Sequence, residues 1–173
     1  MVNEESFEEV FELMQVAFPE TEIRTYEGQR ALLPHPSYRI DAERDDQGQL
    51  LGFLASWNWS TFRFVEHIAV NVAIRGGGIG KRMLMKYMSS ASTPIVLEVE
   101  PPTTLDATRR IEFYKRCGFH LNRFPYAQPP LREGQAMLPL HIMSYPNPLT
   151  ESEFNPCKEV LFTEVYRQPV GLV

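Results

Sequence analysis

Apolar residues recur at helical spacing at the start of the chain. Phe7, Val10, Phe11, Met14 and Ala17/Phe18 fall on one face of a 3.6-residue repeat. This spacing predicts a helix over residues 4–18, ended by Pro19. Residues 20–33 predict a second, weaker helix, stopped by Pro34 and Pro36. The period then changes. Residues 38–44 and 50–58 read as two strands joined by the turn signal Asp45-Asp46-Gln47-Gly48, a hairpin. Residues 62–70 predict a strand, residues 79–88 a helix, and residues 95–99 a short apolar strand bounded by Pro94 and Pro101-Pro102. A helix follows over residues 105–117, with Gly118 placed to cap it. Residues 119–122 restart a strand. Residues 124–130 form an irregular loop with three prolines, residues 135–145 predict one long strand, and residues 149–166 contain a terminal helix. The order is that of a mixed α/β (α+β) layer fold, and the strand–helix–strand run from residue 64 to residue 99 predicts a parallel crossover. No repeat or compositional break marks a second domain, so a single domain over residues 1–173 is expected.

Between the strand ending at Val70 and the helix starting at Ile79 lies Arg75-Gly76-Gly77-Gly78-Ile79-Gly80-Lys81-Arg82. A strand, a Gly-rich turn and a helix N-terminus together make an anion site. The first helical N–H groups have no intrahelical partner, and the helix dipole adds positive charge there. Two familiar phosphate loops do not fit. A P-loop would need Gly where Arg75 stands and a hydroxyl where Arg82 stands. The dinucleotide fingerprint would need Gly at Lys81 or at Met83. What remains is Arg-x-x-Gly-x-Gly at Arg75, Gly78 and Gly80, with a plain Gly-rich turn as the bland alternative.

Composition narrows the partners. The length of 173 residues suits one sizeable core, and 43% apolar with 23% charged residues is ordinary for a globular chain. The net charge of −5 argues against a nucleic-acid partner. Against that background Arg75, Lys81, Arg82 and Lys86 form a positive spot with no acidic residue between them, which suits an anionic cofactor. Cys117 and Cys157 show no disulfide or CxxC spacing, and the four histidines show no metal-ligand spacing, so no metal site is expected. The N-terminal residues lack signal-peptide features and no apolar run reaches membrane-spanning length. A cytoplasmic protein with no membrane partner is expected.

A second segment carries more information than the loop alone. Arg109-Arg110-Ile111-Glu112-Phe113-Tyr114-Lys115-Arg116-Cys117-Gly118-Phe119 is a helix bearing Phe-Tyr and ending in Gly-Phe. It is preceded by Leu97-Glu98-Val99-Glu100, and the Gly-rich loop is preceded by Glu66-His67-Ile68-Ala69-Val70. In this order the segments resemble the signatures of the GNAT superfamily of N-acetyltransferases, over residues 65–119. The resemblance implies a mostly antiparallel central sheet flanked by helices, with a β-α-β core that binds acetyl-CoA. It departs from the family's usual Asn early in the Tyr-bearing helix: here the stretch is Asp106-Ala107-Thr108, and Arg110 stands where a small residue is frequent.

The resemblance implies transfer of an acetyl group from acetyl-CoA to a primary amine: a small amine, an amino acid, or a peptide or protein amino group. It implies cofactor contacts from Ile68, Ala69, Val70, Arg75, Gly76, Gly77, Gly78, Ile79, Gly80, Lys81 and Tyr114. Tyr114 would protonate the departing thiolate, and the backbone N–H of Val70 or Asn71 would polarise the acetyl carbonyl. Strict alternation puts Glu66 on the face of Ile68 and Val70, opposite His67. There Glu66 reads as a general base, as an anchor for the substrate ammonium, or as half of a structural ion pair. Glu98 and Glu100 share one strand face and could join Glu66 in an acidic acceptor pocket or form a solvated strand end. A non-catalytic acyl-CoA-binding sensor or interaction module is the alternative of another class. By analogy with the family, and with a Pro-rich, apolar C-terminal third, a homodimer is a further expectation.

Overall fold

The apolar stripe of the first segment is spent on a helix, α1 (Glu4–Ala17), whose Phe7, Val10, Phe11 and Met14 are all buried. The computed structural model describes Val2, residues 4–74 and residues 77–167. Arg75 and Gly76 of the expected cofactor loop therefore lie outside the described residues. The chain divides into two compact units, Met1–Ile95 and Val96–Val173.

In the first unit, α1 is followed by a 3₁₀ turn (Glu20–Glu22), α2 (Tyr26–Arg30), β1 (Tyr38–Arg44), β2 (Leu50–Asn58), β3 (Arg63–Val70), a second 3₁₀ turn (Val72–Ile74) and α3 (Ile79–Ser89). The expected continuous second helix is broken. Ile23 is extended, at φ −132° and ψ 147°, and Thr25 starts a new helix by accepting the Gly28 N–H at 3.2 Å. Thr25 is a stronger start signal than the weak periodicity of residues 20–33 is a helix signal.

β1, β2 and β3 form an antiparallel meander. α3 packs on the face that carries Gly52: a Cβ at Gly52 would lie 3.3 Å from Met83 Sδ. The end of α1 covers the opposite face, where the Phe18 ring meets His67 with centroids 4.7 Å apart. The β2–β3 register shifts between Ala55 and Ser56. Ala55 pairs with His67 and Ser56 with Val65, so Glu66 is an extra, bulged residue.

In the second unit, β4 (Ile95–Val99), whose first residue still belongs to the first unit, leads to α4 (Leu105–Arg116), β5 (His120–Leu121), β6 (Ala127–Gln128), β7 (Leu138–Pro139), β8 (His141–Tyr145) and α5 (Glu151–Val160). β5 pairs antiparallel with β8, and β6 with β7. The long strand expected over residues 135–145 is two strands in two sheets. Pro139 cannot donate to a ladder, and the Leu140 N–H turns to the Tyr126 carbonyl at 3.2 Å. The proline loop expected over residues 124–130 contains β6. α5 opens with a capping box between Thr150 and Glu153 and runs into a π-helical turn, Leu161–Val165. Helices flanking mostly antiparallel strands give the mixed α/β architecture expected from the sequence.

Close backbone approach makes one glycine of β2 a test of this packing. A Cβ at Gly52 would sit 2.6 Å from the Ala69 carbonyl oxygen, a backbone atom that cannot swing aside. Gly52→Ala is expected to destabilise the fold by about 1–3 kcal/mol in urea unfolding, through overpacking.

Candidate active site

The Gly-rich loop ends as an anion site should. Gly78 is the N-cap of α3 with φ +67°, a left-handed conformation that glycine adopts without strain. The first helical hydrogen bond runs from Arg82 N–H to the Gly78 carbonyl at 2.9 Å. The N–H groups of Ile79, Gly80 and Lys81 come before that bond, and among the described residues no backbone carbonyl accepts from them. The first turn carries no acidic residue. A Cβ at Gly78 would meet no described residue within 4 Å. Gly80 serves packing instead: a Cβ there would lie 3.3 Å from Val70 Cγ2. The cradle thus fits a phosphate group through its backbone.

The positive spot is smaller than the sequence suggests. Arg82 turns to β1, where its Nε bonds the Glu43 carboxylate at 3.1 Å. A groove of about 1300 Å³ opens between α3 and β1. None of the expected site residues lines it, and its Arg39 is paired with Asp41 at 2.7 Å.

Of the strand residues expected at the cofactor, Ala69 is buried, while Ile68 and Val70 are partly exposed. The Asn71 N–H donates to the Leu51 carbonyl at 2.9 Å. That bond excludes Asn71 as the donor to an acetyl carbonyl. It also fixes the ladder phase: Gly52 and Val70 face each other at a non-hydrogen-bonded position, so the Val70 N–H is not used by β2.

Glu66 is not where alternation puts it. The bulge turns it to the face of His67, among groups from the α1–α2 connection. Its side chain is 4% exposed. Arg24 Nη1 lies 2.6 Å from Oε1, and Trp57 Nε1 donates to Oε2 at 3.0 Å. Arg24 is also held by Gln29 Oε1 at 3.3 Å, and Gln29 donates to the Tyr38 hydroxyl at 2.6 Å. Burial by itself would raise the carboxyl pKa. The Arg24 charge, the nearby His67 and the two hydrogen bonds outweigh it, and the net shift is downward. Trp57 is itself fixed by stacking on Trp59 and by edge contacts with His35.

In the second unit, Tyr114 is buried on α4, with its ring 5.3 Å from Phe113 and 5.8 Å from Phe119. Gly118 explains the Gly-Phe ending of that helix. At φ +96° it lets its own N–H bond the Lys115 carbonyl and the Phe119 N–H bond the Tyr114 carbonyl, a Schellman cap that folds Phe119 back onto Tyr114.

Glu98 and Glu100 have separate partners. The Tyr126 and Tyr166 hydroxyls both donate to Glu98, the latter at 2.6 Å. Burial, and next the Glu98 charge, hold the Tyr126 phenol well above its usual pKa. Glu100 pairs with Arg110 at 3.1 Å, which accounts for the arginine in that unusual place. Sequence reasoning missed Arg24, Tyr126 and Tyr166. None sits in a motif, and each is brought to its carboxylate by a loop or a helix end.

Among the described residues no group of three or more His, Cys, Asp or Glu is placed to hold a metal ion, and no helix is long and apolar enough to cross a membrane.

Comparison with known proteins bears on the whole arrangement. The acetyltransferase (GNAT) family model matches residues 7–119. YjbC of Bacillus subtilis (strain 168), named as a candidate acetyltransferase, is 30% identical over 148 residues, covering 83% of this chain and 72% of that protein. A solved structure from Bacteroides thetaiotaomicron, named as a candidate GNAT-family acetyltransferase, is 37% identical, with a TM-score of 0.85 over 94% of this chain and 92% of its own. An aminoglycoside 6'-N-acetyltransferase solved with coenzyme A shares the fold, with a TM-score of 0.58 at 19% identity over 86% of this chain and 95% of its own.

The Arg24–Glu66 pair yields a stability prediction. Glu66→Gln leaves Arg24 buried without its counter-charge and is expected to cost about 3–5 kcal/mol. The folded carboxyl titrates below its unfolded value of about 4.3. Its contribution is therefore complete above that pH and is lost as the pH falls through the folded value. Acid unfolding of the variant should show that part of the pH dependence removed.

Proposed function

Because the chain belongs to the GNAT acetyltransferase family, we propose that it moves the acetyl group of acetyl-CoA to a primary amine. The observation that carries the reading is the α3 N-terminus, where Gly78 opens a cradle of unpaired backbone donors of the kind that receives a pyrophosphate. A neighbour of the same fold was solved with coenzyme A, which agrees with this reading. We take residues 1–173 as one functional domain, since the family model runs across the boundary of the two compact units.

In this proposal Gly77, Gly78, Ile79, Gly80 and Lys81 hold the pyrophosphate, joined by Arg75 and Gly76, which lie outside the described residues. The Val70 N–H faces the acetyl carbonyl oxygen, beside Ile68 and Ala69. A lysine-like amine, with a pKa near ~10.4, must lose a proton at a cost of about 4.6 kcal/mol at neutral pH before it attacks. The nitrogen lone pair then forms the amide bond, the carbonyl oxygen carries the developing charge, and the C–S bond breaks. Tyr114 donates its hydroxyl proton to the departing thiolate, and the proton released by the amine restores the phenol. Glu66, held ionised by Arg24, supplies negative charge for the acceptor ammonium but is a weak proton acceptor. Glu98, held by Tyr126 and Tyr166, and Glu100, paired with Arg110, are read as further carboxylates for the acceptor.

The second reading, an acyl-CoA-binding module without catalysis, is separated from the first by release of free thiol from acetyl-CoA in the presence of an amine panel. Tyr114→Phe is expected to lower kcat by about 10²-fold with acetyl-CoA affinity unchanged. Unchanged turnover would remove the donor role. Gly77→Asp provides the cofactor test. A Cβ at Gly77 meets nothing closer than 3.8 Å, and a carboxylate there suits a helix start, so the fold should be kept. Facing a pyrophosphate, the same carboxylate should weaken acetyl-CoA binding by about 100-fold or more in calorimetry. Wild-type affinity in the variant would refute the cradle.

A further inference from the structure

Among the described residues, one basic atom beside Glu66 is reached by no donor. His67 is 3% exposed, and its Nε2 lies 2.7 Å from the Glu22 carbonyl oxygen. A carbonyl can only accept, so Nε2 carries the proton and Nδ1 keeps its lone pair. Nδ1 is buried, and among the described residues no group donates to it. It faces Glu66 Oε2 at 4.0 Å, a second acceptor. Two acceptors at that separation suit a shared donor. A water about 2.8 Å from each would subtend about 90°, close to the angle between its own two O–H bonds.

The groups around the imidazole define its proton affinity. Phe18 packs on the ring from α1, the Glu22 carbonyl meets it from the 3₁₀ turn, and Arg24 adds a cation from the next segment. Glu66 is its neighbour in β3, and the Tyr38 phenol from β1 lies near the same carboxylate. Burial lowers the imidazole pKa. Glu66 and the Glu22 carbonyl oppose that shift, Arg24 reinforces it, and the net direction is down. His67 is thus neutral at neutral pH with a buried Nδ1 lone pair that no described residue engages, whereas both Glu66 oxygens are engaged by Arg24 and Trp57.

We propose that His67, through a water held between its Nδ1 and the Glu66 carboxylate, is the relay that takes up the proton of the acceptor ammonium. The inference rests on the acetyltransferase reading. The ammonium N–H bond breaks and its electron pair stays on nitrogen. The proton passes to the water, which hands one of its own to Nδ1. The resulting imidazolium stands beside Glu66 and, once the amide has formed, gives this proton to solvent through the same water, while the second amine proton restores the Tyr114 phenol. His67 acts through the water, and Glu66 positions that water and balances the charge.

The test uses the full chain and His67→Gln, whose amide can still donate to the Glu22 carbonyl. Nitrogen-15 NMR of labelled histidine should show the Nε2–H tautomer with Nδ1 shifted by an accepted hydrogen bond. With spermidine and lysine methyl ester as primary-amine probes, the variant should lose the acidic limb of the kcat/KM profile. Its rate at neutral pH should fall about 10²-fold. Acetyl-CoA affinity should stay unchanged. An Nδ1–H tautomer, a bare Nδ1 signal, or a variant with the wild-type pH profile would overturn the relay while leaving the acetyltransferase reading intact. A folded wild type that does not bind acetyl-CoA would overturn both.

Discussion

The ion pair between Arg24 and Glu66 is the constraint on which the first unit depends. A carboxylate with only 4% of its side chain exposed persists in the ionised form only if charge and hydrogen bonds are delivered to it. Arg24 and Trp57 supply them. Arg24 comes from the connection between α1 and α2, and Trp57 from β2. Glu66 is therefore the point at which the helical cover is fastened to the strands. The bulge in β3 is part of the same arrangement, because it turns Glu66 toward Arg24 without disturbing the pairing on either side. The connection before α2 is irregular for a reason: a continuous helix over residues 20–33 would not present Ile23 as extended chain leading into Arg24.

What was legible in the sequence was local or carried by dense motifs. The hairpin of β1 and β2, the span of α3 and the Gly118 cap follow from turn residues, periodicity and glycine, all of which act over a few positions. What was not legible depends on residues distant in the chain. The face of Glu66 could not be read from β3 alone, because a bulge is set by the partner strand. The break at Leu140 is written in Pro139 but decided by the Tyr126 carbonyl. Arg24, Tyr126 and Tyr166 gave no pattern, since a lone side chain from a loop becomes informative only once its carboxylate is known.

The charged residues divide in a way that composition could not foresee. Arg82 stands next to the Gly-rich loop in sequence, yet it serves the β1–α3 contact through Glu43. Arg110 interrupts a familiar helix pattern, yet it neutralises Glu100. Such pairs contribute little stability at the surface.

The Gly78 cradle has a chemical consequence under the acetyl-transfer proposal. A thioester acetylates exposed lysine amines without assistance, and a phosphate site built from lysines would gradually neutralise itself. Main-chain amides carry no amine to modify. Between Gly77 and Arg82 the single such group is the side chain of Lys81, while the donors that define the pocket are peptide N–H groups. In the proposed reaction the cradle would thus be inert toward the thioester it receives.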